Sequence, residues 1–193
     1  MRDGEGEFEF GSVILTRQLI LRHPEARDRE TIAMLAANPR VAENLAAAPG
    51  ECGGTTFAVV ERDGAAVIGC AGFGPMAERP GAAEIACWIG EPNWGRGFAT
   101  EASQALIDHV FADDDVLVLW CSNRPSNTRA RRVIEKCGFQ FRGPGMVRSP
   151  LLNVALPVER FLLDRRNWVS IKSWGAPMLP GKERRDAPRN NAA

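Results

Sequence analysis

Short apolar runs divide the chain into segments whose spacing changes from strand-like to helix-like and back. "VILTRQLILR" (13–22) predicts a first strand. Pro24 suits the first turn of a helix, and "ARDRETIAMLAA" (26–37) carries Ile32, Leu35 and Ala36 at helical spacing. A second, short helix is expected around "RVAENLA" (40–46). "TTFAVVER" (55–62) and "AVIGCAGF" (66–73) flank Asp63-Gly64, a hairpin signal, and "AEIACWI" (83–89) predicts a fourth strand. A helix follows to about Phe111, with Ala99, Ala102, Leu106 and Val110 on one face. "VLVLWC" (116–121) is continuously apolar, which predicts a fifth, central strand buried on both faces.

"SNTRARRVIEKC" (126–137) is amphipathic, with Ala130, Val133, Ile134 and Cys137 at i, i+3, i+4 and i+7. Ser126 or Asn127 can cap its start and Gly138 its end. "FQF" (139–141) and "LPVERFLLD" (156–164) complete the strands. Hairpins first and strand–helix units later predict an α/β (α+β) fold, a mixed sheet with helices against it.

Length is consistent with one domain: 193 residues build a full core and fall short of two domains. The expected domain is 12–170, between a flexible N-terminus (1–11) and a tail (171–193) whose "GAPMLPGKERRDAPRNNAA" reads as disordered. Lys plus Arg and Asp plus Glu are both 24, so no global charge attracts nucleic acid or an anionic membrane. Cysteines stand at 52, 70, 87, 121 and 137 without a CxxC pair, and His23 and His109 are the only histidines. That composition argues against a Cys/His metal site or a disulfide scaffold, and for buried reduced thiols. No apolar run approaches the ~20 residues of a membrane helix. The expectation is a soluble cytoplasmic protein, monomer or homodimer.

Candidate chemistry concentrates in "EPNWGRGFATEA" (91–102), where two glycines and an alanine precede a helix. Repeated small residues there let a phosphate rest on backbone N–H groups at the positive end of the helix dipole. No GxxxxGK[ST] string exists, and GxGxxG fails at Thr100. Two readings stay open: an acyl-CoA pyrophosphate turn, with Arg96 adding charge from the side, or a glycine-rich turn that binds nothing.

"TRQLILR", "AEIACWIGEPNWGRGFATEA" and "NTRARRVIEKCGF", in this order, resemble the GNAT acetyltransferase superfamily, and within it the ribosomal-protein N-terminal acetyltransferases. The resemblance spans roughly residues 12 to 168. It implies a mostly antiparallel sheet splayed between its fourth and fifth strands, with acetyl-CoA as cosubstrate in the gap and no metal. Carried over by position, Trp94, Gly95, Arg96, Gly97, Phe98 and Ala99 form the pyrophosphate turn and Thr100 continues into the helix. Trp94 stands where the superfamily has Gln or Arg. Backbone groups of Trp88, Ile89 and Gly90 would pair with the pantetheine arm, and Asn127 would hydrogen-bond it.

Acetyl transfer to an amine needs a base, a polarised carbonyl and a departing thiolate. Glu84, out of phase with Ile85 and Cys87 on its strand, is the candidate base; the alternative is a solvated strand glutamate. A backbone N–H near Ile89 can polarise the carbonyl. The superfamily's acid is a tyrosine, or a serine in the ribosomal-protein branch. This chain contains no tyrosine, with Ile134 at that position and Ala130 at the serine position. Ser126, Ser122 or water could replace it, or no acid is needed.

Cys121 reads as a buried thiol rather than a nucleophile. Arg124, Arg129, Arg131, Arg132 and Lys136 form a basic cluster, mostly a solvated helix face, from which one or two could meet the CoA 3′-phosphate. Tryptophans 94, 120, 168 and 174 read as packing before acceptor pocket. The acceptor would be a primary amine, either a protein N-terminus or a small amine such as an aminoglycoside or polyamine. It would be selected by loops 40–54 and 75–82. The competing reading is a catalytically degenerate acyl-CoA binding module.

Overall fold

The computed structural model describes residues 13–45, 54–76, 79, 82–149 and 154–175. Among the described residues, eight strands form one sheet in the order β1-β2-β3-β4-β5-β6-β8-β7. They are β1 (Ile14–Leu15), β2 (Leu19–Arg22), β3 (Thr55–Glu61), β4 (Val67–Pro75), β5 (Ala83–Ile89), β6 (Val118–Asn123), β7 (Gln140–Ser149) and β8 (Val154–Asp164). All neighbours are antiparallel except β5 and β6. The helices are α1 (Arg29–Ala37), α2 (Pro39–Ala42), α3 (Phe98–Val110), α4 (Thr128–Lys136) and α5 (Arg165–Gly175). The main core lies between the sheet and α3, where Leu106 and Ile107 are fully buried against Phe57, Ile85, Leu119 and Phe161.

Several sequence expectations need correction. The first strand is two, because the chain reverses at Thr16-Arg17-Gln18. The Thr16 hydroxyl accepts from Leu19 N at 2.9 Å, and Thr16 N donates to Leu19 O at 3.0 Å. Glu101 of α3 accepts from Thr16 Oγ1 at 2.6 Å and from Gln18 N and Nε2 at 2.7 Å. The strands expected as fourth and fifth are therefore β5 and β6. Pro24 precedes the helix: a 3-10 turn at Ala26–Asp28 starts it, boxed by Glu25 and Asp28. The apolar run 116–121 enters the sheet only at Val118; Leu117 is 64% exposed, and the strand continues to Asn123.

β7 is far longer than "FQF". Gly143, Pro144 and Gly145 read as breakers, but β7 is an edge strand, where a proline removes no ladder bond. Residues 171–175, expected in the tail, continue α5. Residue 46 of the expected second helix, 46–53 of the expected acceptor loop 40–54, 77, 78, 80 and 81 of the loop 75–82, the expected N-terminal segment 1–11 and the tail beyond 175 lie outside the described residues.

Two carboxylates, one buried and one half-buried, tie the N-terminal region down. Asp28, 4% exposed, accepts from Arg22 Nη1 and Nη2 at 2.6 and 3.0 Å and from Glu25 N at 2.7 Å. Arg22's hydrogen bonds hold the Asp28 carboxyl below its ordinary value against the opposing effect of burial. Burial pushes Glu101 upward, but hydrogen bonds from Thr16 and Gln18 hold it below its ordinary value too. Both values lie below their unfolded ones. The stabilisation is thus present above about pH 4 and lost as pH falls through the folded values. Asp28→Asn should lower stability by about 3 kcal/mol at neutral pH and shrink the acid-side loss; urea midpoints from pH 7 to pH 3 check both.

Candidate functional site

β5 and β6 run parallel but pair at only two registers, Ala83 with Leu119 and Glu84 with Trp120. From Ile85 onward β5 has no ladder on that side, so the sheet opens after Glu84. Gly90 N donates to Ile68 O at 2.7 Å, which fixes the phase of the β4–β5 ladder. Trp88 and Gly90 accordingly direct their main-chain groups at β4, while Cys87 and Ile89 direct theirs at the opening. This corrects the expected backbone trio: of Trp88, Ile89 and Gly90, only Ile89 faces the gap, and Cys87, not singled out from sequence, joins it. The Ile89 carbonyl accepts from Trp94 Nε1 at 2.6 Å.

The opening leads to the glycine turn. Gly95 (φ 80°) and Gly97 (φ 84°) are left-handed, a conformation that costs other residues about 1–2 kcal/mol. A Cβ at either would meet nothing within 4 Å, so the glycines answer to backbone conformation and leave the space before α3 open. Gly97 is the N-cap of α3 and no side chain caps that end. α4, by contrast, is capped by Asn127 Oδ1, which accepts from Ala130 N at 3.0 Å. First-turn N–H groups without a capping side chain suit an anionic group. The Phe98 side chain is core, 2% exposed, so only its backbone faces the turn. Ala99 packs against the core, and Thr100 is half-buried in the first turn of α3.

Charge around the turn is already paired. Arg96 is ion-paired with Glu61 at the end of β3, approaches Asn93 Oδ1 at 3.3 Å and lies over the Phe98 ring at 4.4 Å. Arg40 of α2 is ion-paired with Glu91 in the same loop. The Trp94 ring has two guanidinium groups near it, Arg40 at 5.6 Å and Arg129 of α4 at 5.1 Å. In the basic cluster, Arg131 pairs with Glu135 and Glu159, each at 2.9 Å.

Glu84 lies on the sheet face opposite α3, at the last register before the gap. Its Oε1 accepts from Ser122 Oγ of β6 at 2.5 Å. Ser122 Oγ accepts in turn from Arg160 Nη1 of β8 at 3.2 Å. Trp120, 7% exposed, shares this face with Arg79 4.3 Å from its ring centre.

A sheet opened between two parallel strands, leading to a glycine turn and a helix without a capping side chain, has known counterparts. Residues 18–140 match the Acetyltransferase (GNAT) domain family. The chain belongs to the GNAT acetyltransferase family. An uncharacterised N-acetyltransferase of Bacillus licheniformis is 26% identical over 148 residues, 67% of this chain and 83% of its own length. An aminoglycoside acetyltransferase solved with coenzyme A superposes with a TM-score of 0.66 at 21% identity, covering 80% of this chain and 99% of that one. A Vibrio cholerae structure described as a ribosomal-protein-serine acetyltransferase gives 0.65 at 18%, covering 80% and 98%. At such identities the structures share the fold.

Within this GNAT fold the remaining sequence candidates separate. Ile134 belongs to the core at 8% exposure, and Ala130 is half-buried on α4. Burial, then the neighbouring Glu84, pushes the Cys121 thiol well above its ordinary value, and burial pushes Cys87 up to about 12. Neither is a thiolate at neutral pH, although both residues are half-buried rather than buried as expected; Cys70 and Cys137 are buried. Trp168 packs, its Nε1 donating to Asp108 at 2.8 Å; the Trp174 side chain lies outside the described residues. No group of three His, Cys, Asp or Glu among the described residues could hold a metal ion. No helix among them is long and apolar enough to cross a membrane. Sequence reasoning missed Arg160, since only the β6–β8 register places it opposite Ser122.

Proposed function

We propose that this GNAT acetyltransferase transfers the acetyl group of acetyl-CoA to a primary amine, a protein N-terminus or a small amine, within a single domain related to the ribosomal-protein branch. The carrying observation is the two-register pairing of β5 and β6, which leaves Cys87 and Ile89 main-chain groups facing a gap that ends at the left-handed turn. The fit to acetyl-CoA rests on that turn and on α3, whose N-terminus has no side-chain cap. Backbone N–H groups of Gly95 through Thr100 would hold the pyrophosphate. Cys87 and Ile89 would pair with the pantetheine arm, and Asn127 and Arg96 would assist, Arg96 only by leaving Glu61. Acetyl-CoA supplies the activated acyl group.

The amine reaches Glu84 from the face opposite α3. An α-amine has pKa near 8 and lysine near 10.4, so a base at Glu84 matters most when the acceptor arrives protonated. The Cys87 N–H, directed at the gap and two residues nearer Glu84 along β5 than the Ile89 N–H expected from sequence, polarises the carbonyl under attack. A thiol of pKa near 8.5 leaves tolerably as its anion at neutral pH, so turnover survives without the missing tyrosine.

Free CoA thiol, followed with short peptides bearing free N-termini, spermidine and an aminoglycoside, tests the proposal. Amine-dependent release supports it, and the preferred amine names the acceptor class. No release with measurable CoA binding would instead favour an acyl-CoA binding module, the reading motivated by Ala130 and the absent tyrosine. Ala130→Ser refines this test. In an acid-poor enzyme the added hydroxyl should raise kcat by at most ~10²-fold without tightening acetyl-CoA binding, whereas a binder shows no turnover before or after.

A further inference from the structure

Arg160 has no part in the transfer as derived so far, yet its guanidinium is built into place from three sides. Nη1 donates to Ser122 Oγ at 3.2 Å and Nη2 to Met146 O of β7 at 3.0 Å. Diagonally across on β7 stands Gly145, paired with Val158, where a Cβ would lie 2.6 Å from Arg160 Nε and 3.1 Å from Cγ. Gly145 has no left-handed φ that would demand glycine; what its bareness accommodates is the arginine. The Ser122 hydroxyl between Arg160 and Glu84 has one proton. A hydroxyl rotates to suit its partners. With the Arg160 donor on one side of Oγ, that proton is directed at Glu84 Oε1.

We infer that Arg160, acting through Ser122, is a positioning residue that fixes the Glu84 carboxylate at the mouth of the β5–β6 gap. This rests on the base role proposed for Glu84. The chain of contacts runs across four neighbouring strands: Met146 O and Gly145 on β7 set Arg160 on β8, Arg160 orients Ser122 on β6, and Ser122 holds Glu84 on β5. Among the described residues, the other charged group on this side is Arg79, over Trp120, and the neighbouring Cys121 thiol is uncharged. Neither has a hydrogen bond to Ser122 Oγ among those described, so orienting its proton falls to Arg160.

The test uses the full chain with 13C-labelled glutamate and no ligand, the Glu84 carboxyl signal being identified by its loss in Glu84→Gln. Arg160→Gln, Ser122→Ala and Gly145→Ala should each displace that signal. Gly145→Ala is the sharpest of the three, because it leaves the chemistry of the network intact and only pushes Arg160 out of its cradle. With the best amine of the panel above, the same variants should lower kcat about tenfold or more, since a displaced reacting group costs up to ~10²-fold, and leave CoA affinity by calorimetry unchanged. Arg160→Lys keeps the charge but cannot bridge Met146 O and Ser122 Oγ with one planar fork, and should fall between. A Glu84 signal unmoved by Arg160→Gln and Gly145→Ala overturns the inference. If instead Glu84→Gln leaves turnover intact while the signal moves, the positioning stands and the base role falls.

Discussion

Glu84→Gln is expected to reduce kcat by ~10²–10⁴-fold near neutral pH, the usual range for losing a general base, while leaving acetyl-CoA affinity unchanged. The side chain stands at the last paired register of β5 and β6 and accepts a hydrogen bond from Ser122. Glutamine keeps the size and can still accept from that hydroxyl, so the variant isolates the loss of the base from any loss of packing. The deficit should shrink as pH rises, because a deprotonated amine no longer needs Glu84. A loss confined to kcat fits an interaction made in the transition state. A profile parallel to the unaltered enzyme from pH 6 to pH 10 would remove Glu84 from the base role.

Gly97→Val is expected to weaken CoA binding by at least about 100-fold, some 2.7 kcal/mol. Two effects combine. Valine at φ 84° is strained, and its side chain would project into the open space before α3, where no protein atom lies within 4 Å of the Cβ. The second effect is the one that matters for the ligand, and Gly143→Val separates it. Gly143 also has positive φ (136°) and open space around its Cβ, but it sits on β7, away from the turn. Both variants should lose stability, and only Gly97→Val should lose CoA, as calorimetric titration would show. Equal CoA affinities in the two would remove the pyrophosphate from this turn.

The parts of the site legible in sequence are those made of local chemistry. "AEIACWI" alternates clearly enough that β5 appears with the expected bounds, and the glycines at 95 and 97 announce a backbone that side chains resist. The cap of α4 was likewise readable as Ser126 or Asn127 from their place before an amphipathic run, and the structure makes it Asn127. What escaped depends on partners distant in sequence. The reversal at Thr16 is held by Glu101, 85 residues on, and Arg96 is engaged by Glu61, 35 residues back. β7 was hidden by glycine and proline that only an edge position, and the bulk of Arg160, explain. The backbone phase of β5 follows from one bond, Gly90 N to Ile68 O, which no pattern within β5 reveals.

The central claim is that coenzyme A lies along the Cys87–Ile89 edge and ends on the turn before α3. Amide 1H–15N spectra of the unaltered protein, recorded during titration with CoA, test it most directly. The largest shifts should fall on Gly95, Arg96, Gly97, Phe98 and Ala99, with a second set on Cys87 and Ile89, and those of Trp88 should be smaller because its amide faces β4. Saturating CoA that leaves the turn amides still, or that shifts residues elsewhere in their place, would contradict the account.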